Sequence, residues 1–368
     1  MKFIRRQFRR IGREVLAIPG RAIAFIFLIA LFFVPLAIRD PYVLKVLTFM
    51  NIFVIYAASW NVLGGFTGQF CMGQGAFFGV AAYTSAILNL KLGLPVWASI
   101  PCGAVASVLA GMLIAVPSLR LRGIYFSLVS LAFPIILTGL VYVFSGVTGG
   151  EMGISGVDVL ARHSIVVYFI VVTAMVLCVL AMWKLTDPTT TVFRLGVVLL
   201  AIQEDEISAR CLGVNTIKYK LLAFGISAFF AGLAGGLYVH VLRIAGPSTL
   251  NLMFSFNPII WTAFGGMGTI AGSVVGVYLL YPVMELLRFI PQLRMLIFAC
   301  IIIFVILLMP EGLVHWVRDK LEENCPRCKL INASLRRDCW ACGAPLHINI
   351  KQPPEVTRQH ADWSKEVS

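Results

Sequence analysis

Ten blocks of apolar residues, parted by short polar breaks, organise the chain from residue 22 to residue 309. They lie at 22–38, 44–63, 76–90, 95–117, 124–144, 164–183, 220–242, 253–268, 271–287 and 293–309. About 20 apolar residues cross a bilayer, so these are spans or near-spans. In lipid each block must satisfy its own backbone hydrogen bonds, which makes helices the economical reading. The pattern predicts an all-α polytopic membrane protein with eight to ten crossings, the lower counts arising because several blocks are short.

Two glycine-rich breaks fall at comparable places in the two halves, Gly64 to Gly75 and Gly265 to Gly272, and each joins two apolar blocks. Unwound backbone at such points meets a polar solute where lipid does not reach, the usual pointer to a transport pathway. Close helix packing through small residues is the competing explanation. Thr67, Gln69 and Gln74 add polar side chains to the first break and make it the candidate pathway, whereas packing or gating suits the second better.

Composition supports the same class. With 59% hydrophobic and 13% charged residues the chain lies far from the soluble average. The formal charge of +13 raises the question of nucleic acid, and the position of the charges answers it. Lys2, Arg5, Arg6, Arg9, Arg10, Arg13 and Arg21 precede the first block, which the positive-inside rule assigns to the cytoplasm of an inner membrane. Alternation then places Arg120, Arg122 and the segment 184–220 on that side, with 14 Lys and Arg inside before the tail against 7 on or near outer loops. Both termini are expected in the cytoplasm, and no nucleic-acid partner is called for. Arg5, Arg6 and Phe8 imitate a twin-arginine signal, but the block that follows is long, lacks a small-residue cleavage site and is succeeded by further blocks, so it reads as a retained first span.

Ionisable residues are nearly missing from the middles of the blocks, Glu285 and His240 lying toward block ends. Ion-coupled carriers place acidic groups at mid-membrane, so that class is disfavoured. The chain carries no Gly-x-x-x-x-Gly-Lys-Ser/Thr loop, hence no ATP site, and any ATP drive must come from a partner. Residues 199–215 read as one short amphipathic helix in a cytoplasmic loop. Ile202, Ile207 and Leu212 recur at loosely helical spacing, Glu204, Asp205, Glu206 and Arg210 are polar, and Gly213 is placed as a C-cap. Such a helix docks into a groove on another protein; an ordinary solvated connector is the plainer alternative.

Several separated stretches in one order now carry a resemblance. They are Asn61 to Thr84 (NVLGGFTGQFCMGQGAFFGVAAYT), Leu121 to Phe126 (LRGIYF), Thr148 to Gly156 (TGGEMGISG), Ala201 to Gly213 (AIQEDEISARCLG) and Leu221 to Phe224 (LLAF). Across roughly 42–312 the chain resembles the LivM-type permeases of branched-chain amino acid ABC importers. The resemblance implies a type II importer-like permease domain over 22–312. It also implies a LivH-like second permease, two ABC ATPase subunits, a periplasmic binding protein and a small amino-acid cargo. Residues 199–215 correspond to the family's ATPase-contacting helix, with Ser208, Ala209, Arg210 and Gly213 matching its Ala-Ala-x-x-x-Gly core. Glu206 stands one position away from the glutamate of the wider consensus. Urea and short-amide importers share this permease type, and a self-sufficient channel or secondary carrier is the rival class.

The tail departs from the family. Cys325-Pro-Arg-Cys328 and Cys339-Trp-Ala-Cys342 supply four thiolates in two C-x-x-C knuckles, the donor set of a closed structural zinc site. A zinc-ribbon-like module is expected over 320–348 on the cytoplasmic side, where thiols stay reduced, with a redox dithiol or an iron site as alternatives. Residues 1–21 form a basic cytoplasmic segment, and the polar stretch 349–368 with Pro353 and Pro354 predicts disorder.

Overall fold

A computed structural model describes residues 40–118, 123–187 and 195–289 continuously, with 31–32, 34–35, 296–297, 299–300, 303, 307, 312–324, 331–333 and 342. The basic segment 1–21, Arg120, Arg122, most of the first and last apolar blocks, Cys325, Cys328, Cys339 and the tail 349–368 lie outside the described residues.

In chain order the main helices are α1 (Pro41–Thr67), α2 (Gln74–Leu92), α3 (Val96–Ser118), α4 (Ile124–Val143), α5 (Ser164–Thr186), α6 (Leu195–Glu204), α7 (Glu206–Cys211), α8 (Thr216–Leu242), α9 (Leu252–Gly265) and α10 (Ile270–Leu286). Among the described residues, α1 to α5 and α8 are each long and apolar enough to cross a membrane, and each coincides with an apolar block to within a few residues.

Local chemistry sets the helix ends. Asp40 caps α1 by accepting from the Tyr42 backbone N–H at 2.9 Å, Pro41 takes the first turn, and Gly68 closes the far end at φ 68. Asn215 caps α8 through the Lys218 N–H at 3.1 Å. The bundle lies within one compact unit, residues 28–316. α1 is its axis, 83% buried over its most apolar window against 28% for the peripheral α4. It packs on α5, α8, α9 and α10, while α8 also packs on α2 and α3. An aromatic cluster binds these elements, with Phe53 to Trp261 at 5.2 Å, Phe53 to Tyr281 at 5.2 Å and Phe78 to Phe254 at 4.8 Å between ring centroids.

The blocks at 253–268 and 271–287 are not two spans. They form α9 and α10, of 14 and 17 residues, bent by 108° at the second glycine-rich break. The bend rests on the C-terminal part of α1. Asn61 accepts from the Gly268 N–H at 2.9 Å and donates to the Thr269 carbonyl at 2.7 Å and to Ser273 Oγ at 3.0 Å. The far end of α10 returns to the start of α1, where the Tyr42 hydroxyl donates to Glu285 at 2.8 Å. Bend and exit thus sit at opposite ends of α1. Close backbone approach permits this shape: a Cβ on Gly276 would lie 1.8 Å from the Trp261 carbonyl oxygen.

At the end of α8 remote from α7, β1 (Ile154–Ser155) pairs antiparallel with β2 (Ile244–Ala245). His240 there bonds Ser85, Ser99 and the Asp158 carbonyl, and Asn89 donates to the Asp158 carboxylate at 3.0 Å. The C-terminal tail belongs to a separate unit, in which β3 (Glu322–Asn324) pairs antiparallel with β4 (Ile331–Ala333).

Candidate functional site

Between α1 and α2 the chain unwinds over 68–73, inside the first glycine-rich break. Non-helical backbone at membrane depth survives where protein groups satisfy it. Here Trp60 Nε1 donates to the Cys71 carbonyl at 2.7 Å, Ser127 of α4 donates to the Phe70 carbonyl at 2.7 Å, and the Met72 N–H donates to Ser130 Oγ at 2.9 Å. The Gly75 N–H, in the first turn of α2, donates to Ser255 Oγ at 3.1 Å. The break is therefore a built, cross-braced element.

The three polar side chains assigned to it do different things. Thr67 is buried and donates to the Leu63 carbonyl within its own helix. Gln74 is fully buried between helices, its Nε2 donating to Ser59 Oγ at 3.0 Å and Ser227 Oγ at 3.1 Å, so it ties α2 to α1 and α8. Gln69 is also buried, yet its Oε1 has no hydrogen-bond donor among the described residues. Thr67 and Gln69 line one cavity of about 520 Å³ and Gln74 does not.

That cavity joins the break to the segment between α5 and α8, since Ile202, Gln203, Glu206 and Lys220 line its other side. The expected single helix over 199–215 is two helices, α6 and α7, parted at Asp205. Asp205 adopts an extended conformation (φ −152, ψ 108) and accepts from the Ile207 and Ser208 N–H groups at 2.8 and 3.2 Å and from the Ser208 hydroxyl at 2.7 Å. An aspartate this well placed begins a new helix more favourably than it continues an old one. Those bonds, the Ser208 hydroxyl first, hold its carboxyl below the usual aspartate range.

Glu206 lies in a tight charge cluster. It accepts from Arg210 Nη2 at 2.5 Å, Lys220 Nζ at 2.7 Å and Thr216 Oγ1 at 3.3 Å. Burial pushes its pKa up, but the Lys220 ammonium and then the Arg210 guanidinium outweigh burial and hold it below the usual range. Arg210 also donates through Nε to Thr216 at 2.8 Å, so α7 is pinned to the start of α8. Gly213 ends α7 in a Schellman turn: its N–H reaches the Arg210 carbonyl, the Val214 N–H reaches the Ala209 carbonyl, and Gly213 takes φ +85. Ala209 is buried against the bundle side, Glu204 is exposed, and Ile207 and Leu212 face outward, 64% and 84% exposed. Ile202, grouped with them by spacing, is buried instead.

A family model described as the permease component of branched-chain amino acid transport systems matches residues 42–306, through the bundle, the break and α6–α7. The chain belongs to that family. It is similar to the high-affinity branched-chain amino acid transport system permease protein LivM of Salmonella typhimurium, 30% identical over 77% of this chain and 72% of the relative. The LivM protein of Escherichia coli is 30% identical over 81% of this chain and 76% of its own. A probable permease protein LivH of Methanocaldococcus jannaschii is 23% identical over 56% and 68%. No solved structure matches the chain.

The permease is a multi-pass membrane protein, and its family match stops before the cysteine-bearing tail. Spacing arguments missed Lys220, Gln203 and Asn61. Asn61 carried a usable signal, because a polar side chain inside an apolar block is expensive in lipid and asks for a partner.

Proposed function

We propose that the permease is one translocation subunit of an ATP-driven importer carrying branched-chain or similar small amino acids across a bacterial inner membrane. A LivH-like second permease, two separate ATPase subunits and a periplasmic binding protein complete the system, and both termini of this chain face the cytoplasm. The observation that carries the reading is the α6–α7 segment. Within a family of transport permeases, it holds a compact helix against the start of α8, fixed by Glu206, Arg210 and Lys220, with Ile207 and Leu212 turned outward. Exposed apolar residues on a rigid, charge-braced helix suit insertion into a cleft of a motor protein.

The test is uptake of labelled leucine in cells that express the complete system with this chain, against cells carrying a Leu212→Asp variant. The parent is expected to take up leucine in an ATP-dependent manner, and the variant to insert in the membrane, lose copurifying ATPase and lose uptake. Unchanged ATPase association would refute the docking role of α7, while uptake of urea in place of leucine would move the cargo to short amides.

The tail holds a structural zinc ion on Cys325, Cys328, Cys339 and Cys342. What supports this is the antiparallel register of Glu322–Asn324 with Ile331–Ala333, which brings together the chain on either side of the first C-x-x-C pair. Two knuckles of thiolates fit a closed tetrahedral site. Equal zinc content in the parent and in a Cys325→Ser, Cys342→Ser variant would defeat the assignment.

A further inference from the structure

The cavity between the first break and α7 has a lining of both kinds. Phe70, Ile124 and Phe126 are apolar, while Gln69 on the break and Glu206 and Lys220 facing it are polar. Gln69 is only 7% exposed and its Oε1 lacks a donor among the described residues, a condition natural structures avoid unless something else supplies the bond. The Oε1 atom is itself buried, and the broad terminal torsion of a glutamine lets the amide turn it toward the cavity that the side chain lines. Lys220 offers three N–H donors, of which one goes to Glu206 at 2.7 Å.

We propose that this cavity binds a zwitterionic α-amino acid with an apolar side chain, the cargo itself, on the motor-facing side of the permease. The proposal rests on the function given above and deepens it. The ligand ammonium donates to Gln69 Oε1, the carboxylate accepts from Lys220, and the aliphatic side chain lies on Phe70, Ile124 and Phe126. A small amine or a carboxylate alone satisfies one end and leaves the other without a partner. Because Lys220 also holds Glu206, the first residue of α7, bound cargo and the motor-docking helix share one ammonium. Cargo arriving from the membrane, or accumulating in the cytoplasm, thus touches the coupling segment directly.

The experiment uses the complete transporter in nanodiscs without its periplasmic binding protein, and measures equilibrium binding of labelled leucine. Saturable binding is expected, weakened about tenfold or more in a Gln69→Leu variant, which loses a hydrogen bond to a charged group. Gln69→Glu, which keeps the acceptor, should bind within a few-fold of the parent. In the parent alone, isocaproate and isoamylamine should each compete about tenfold or more weakly than leucine, a readout that needs no variant to fold. Equal leucine affinity in Gln69→Leu and parent, or isocaproate competing as well as leucine, overturns the site. Leucine uptake by the parent system is measured in parallel. Normal uptake without Gln69-dependent binding defeats the cavity assignment alone, and Gln69-dependent binding without uptake defeats the transport reading alone.

Discussion

At the scale of single residues, Glu206 and Asp205 set the shape of the segment between α5 and α8, and both do so as anions. Each carboxyl has its pKa held below the ordinary value, Glu206 by Lys220 and Arg210 against burial, Asp205 by Ser208 and two backbone N–H groups. A group whose folded pKa is depressed adds stability that is complete above its unfolded pKa and lost as pH falls through the folded one. Backbone protection of residues 205–214 against hydrogen exchange is therefore expected to hold at neutral pH and to fall below the ordinary carboxylate range. Glu206→Gln should lower that protection already at neutral pH by about two- to fivefold, the scale of a partly exposed ion pair, and should blunt the response to acid. Protection that ignores both pH and the substitution would show that the cluster does not hold α7.

At the scale of elements, the bent pair shows what a single side chain does for a fold. Asn61 meets two backbone groups and Ser273 at the turn from α9 to α10. Asn61→Leu keeps the branching and the number of heavy atoms but leaves the Gly268 N–H and Thr269 carbonyl without that partner, at a cost of about 1–3 kcal/mol. The thermal midpoint in detergent should drop accordingly, with α1 still inserted; an unchanged midpoint would mean that water or another group takes over. The same pair explains where sequence reasoning stopped. The six long helices of the described residues were legible because lipid demands an unbroken apolar block, and the blocks and helices coincide. The bend between α9 and α10 was not, since its residues are as apolar as any span and the bend depends on a partner some 200 positions earlier. The division of 199–215 at Asp205 was legible in principle, as a capping aspartate ahead of Ser208, but apolar spacing drew the eye to one helix. Gln74 looked like a pathway group by position, and only the approach of Ser59 and Ser227 identifies it as a tie between helices.

At the scale of the whole molecule, the bent pair α9–α10 decides both the number of crossings and the side on which the chain emerges. Counted as two spans or as one returning pair, 253–287 brings the chain back to the side it left; counted as one broken span, it would not. Three positions separate these cases. Cys211 is exposed on α7, Ile244 follows α8 and is 44% exposed, and Arg288 follows α10. In variants that each retain one cysteine, at 211, 244 or 288, a membrane-impermeant maleimide should label 244 and 288 from outside intact cells, and 211 only in inverted vesicles. Labelling of 244 and 288 from opposite faces would make α9–α10 a single crossing and break the link between Tyr42 and Glu285. Labelling of Cys211 from outside would put α7, the Glu206 cluster and the cavity beside it beyond the reach of any cytoplasmic motor, because the Glu206–Lys220 ion pair and the Arg210–Thr216 hydrogen bond that fix α7 to α8 leave it no route across the bilayer.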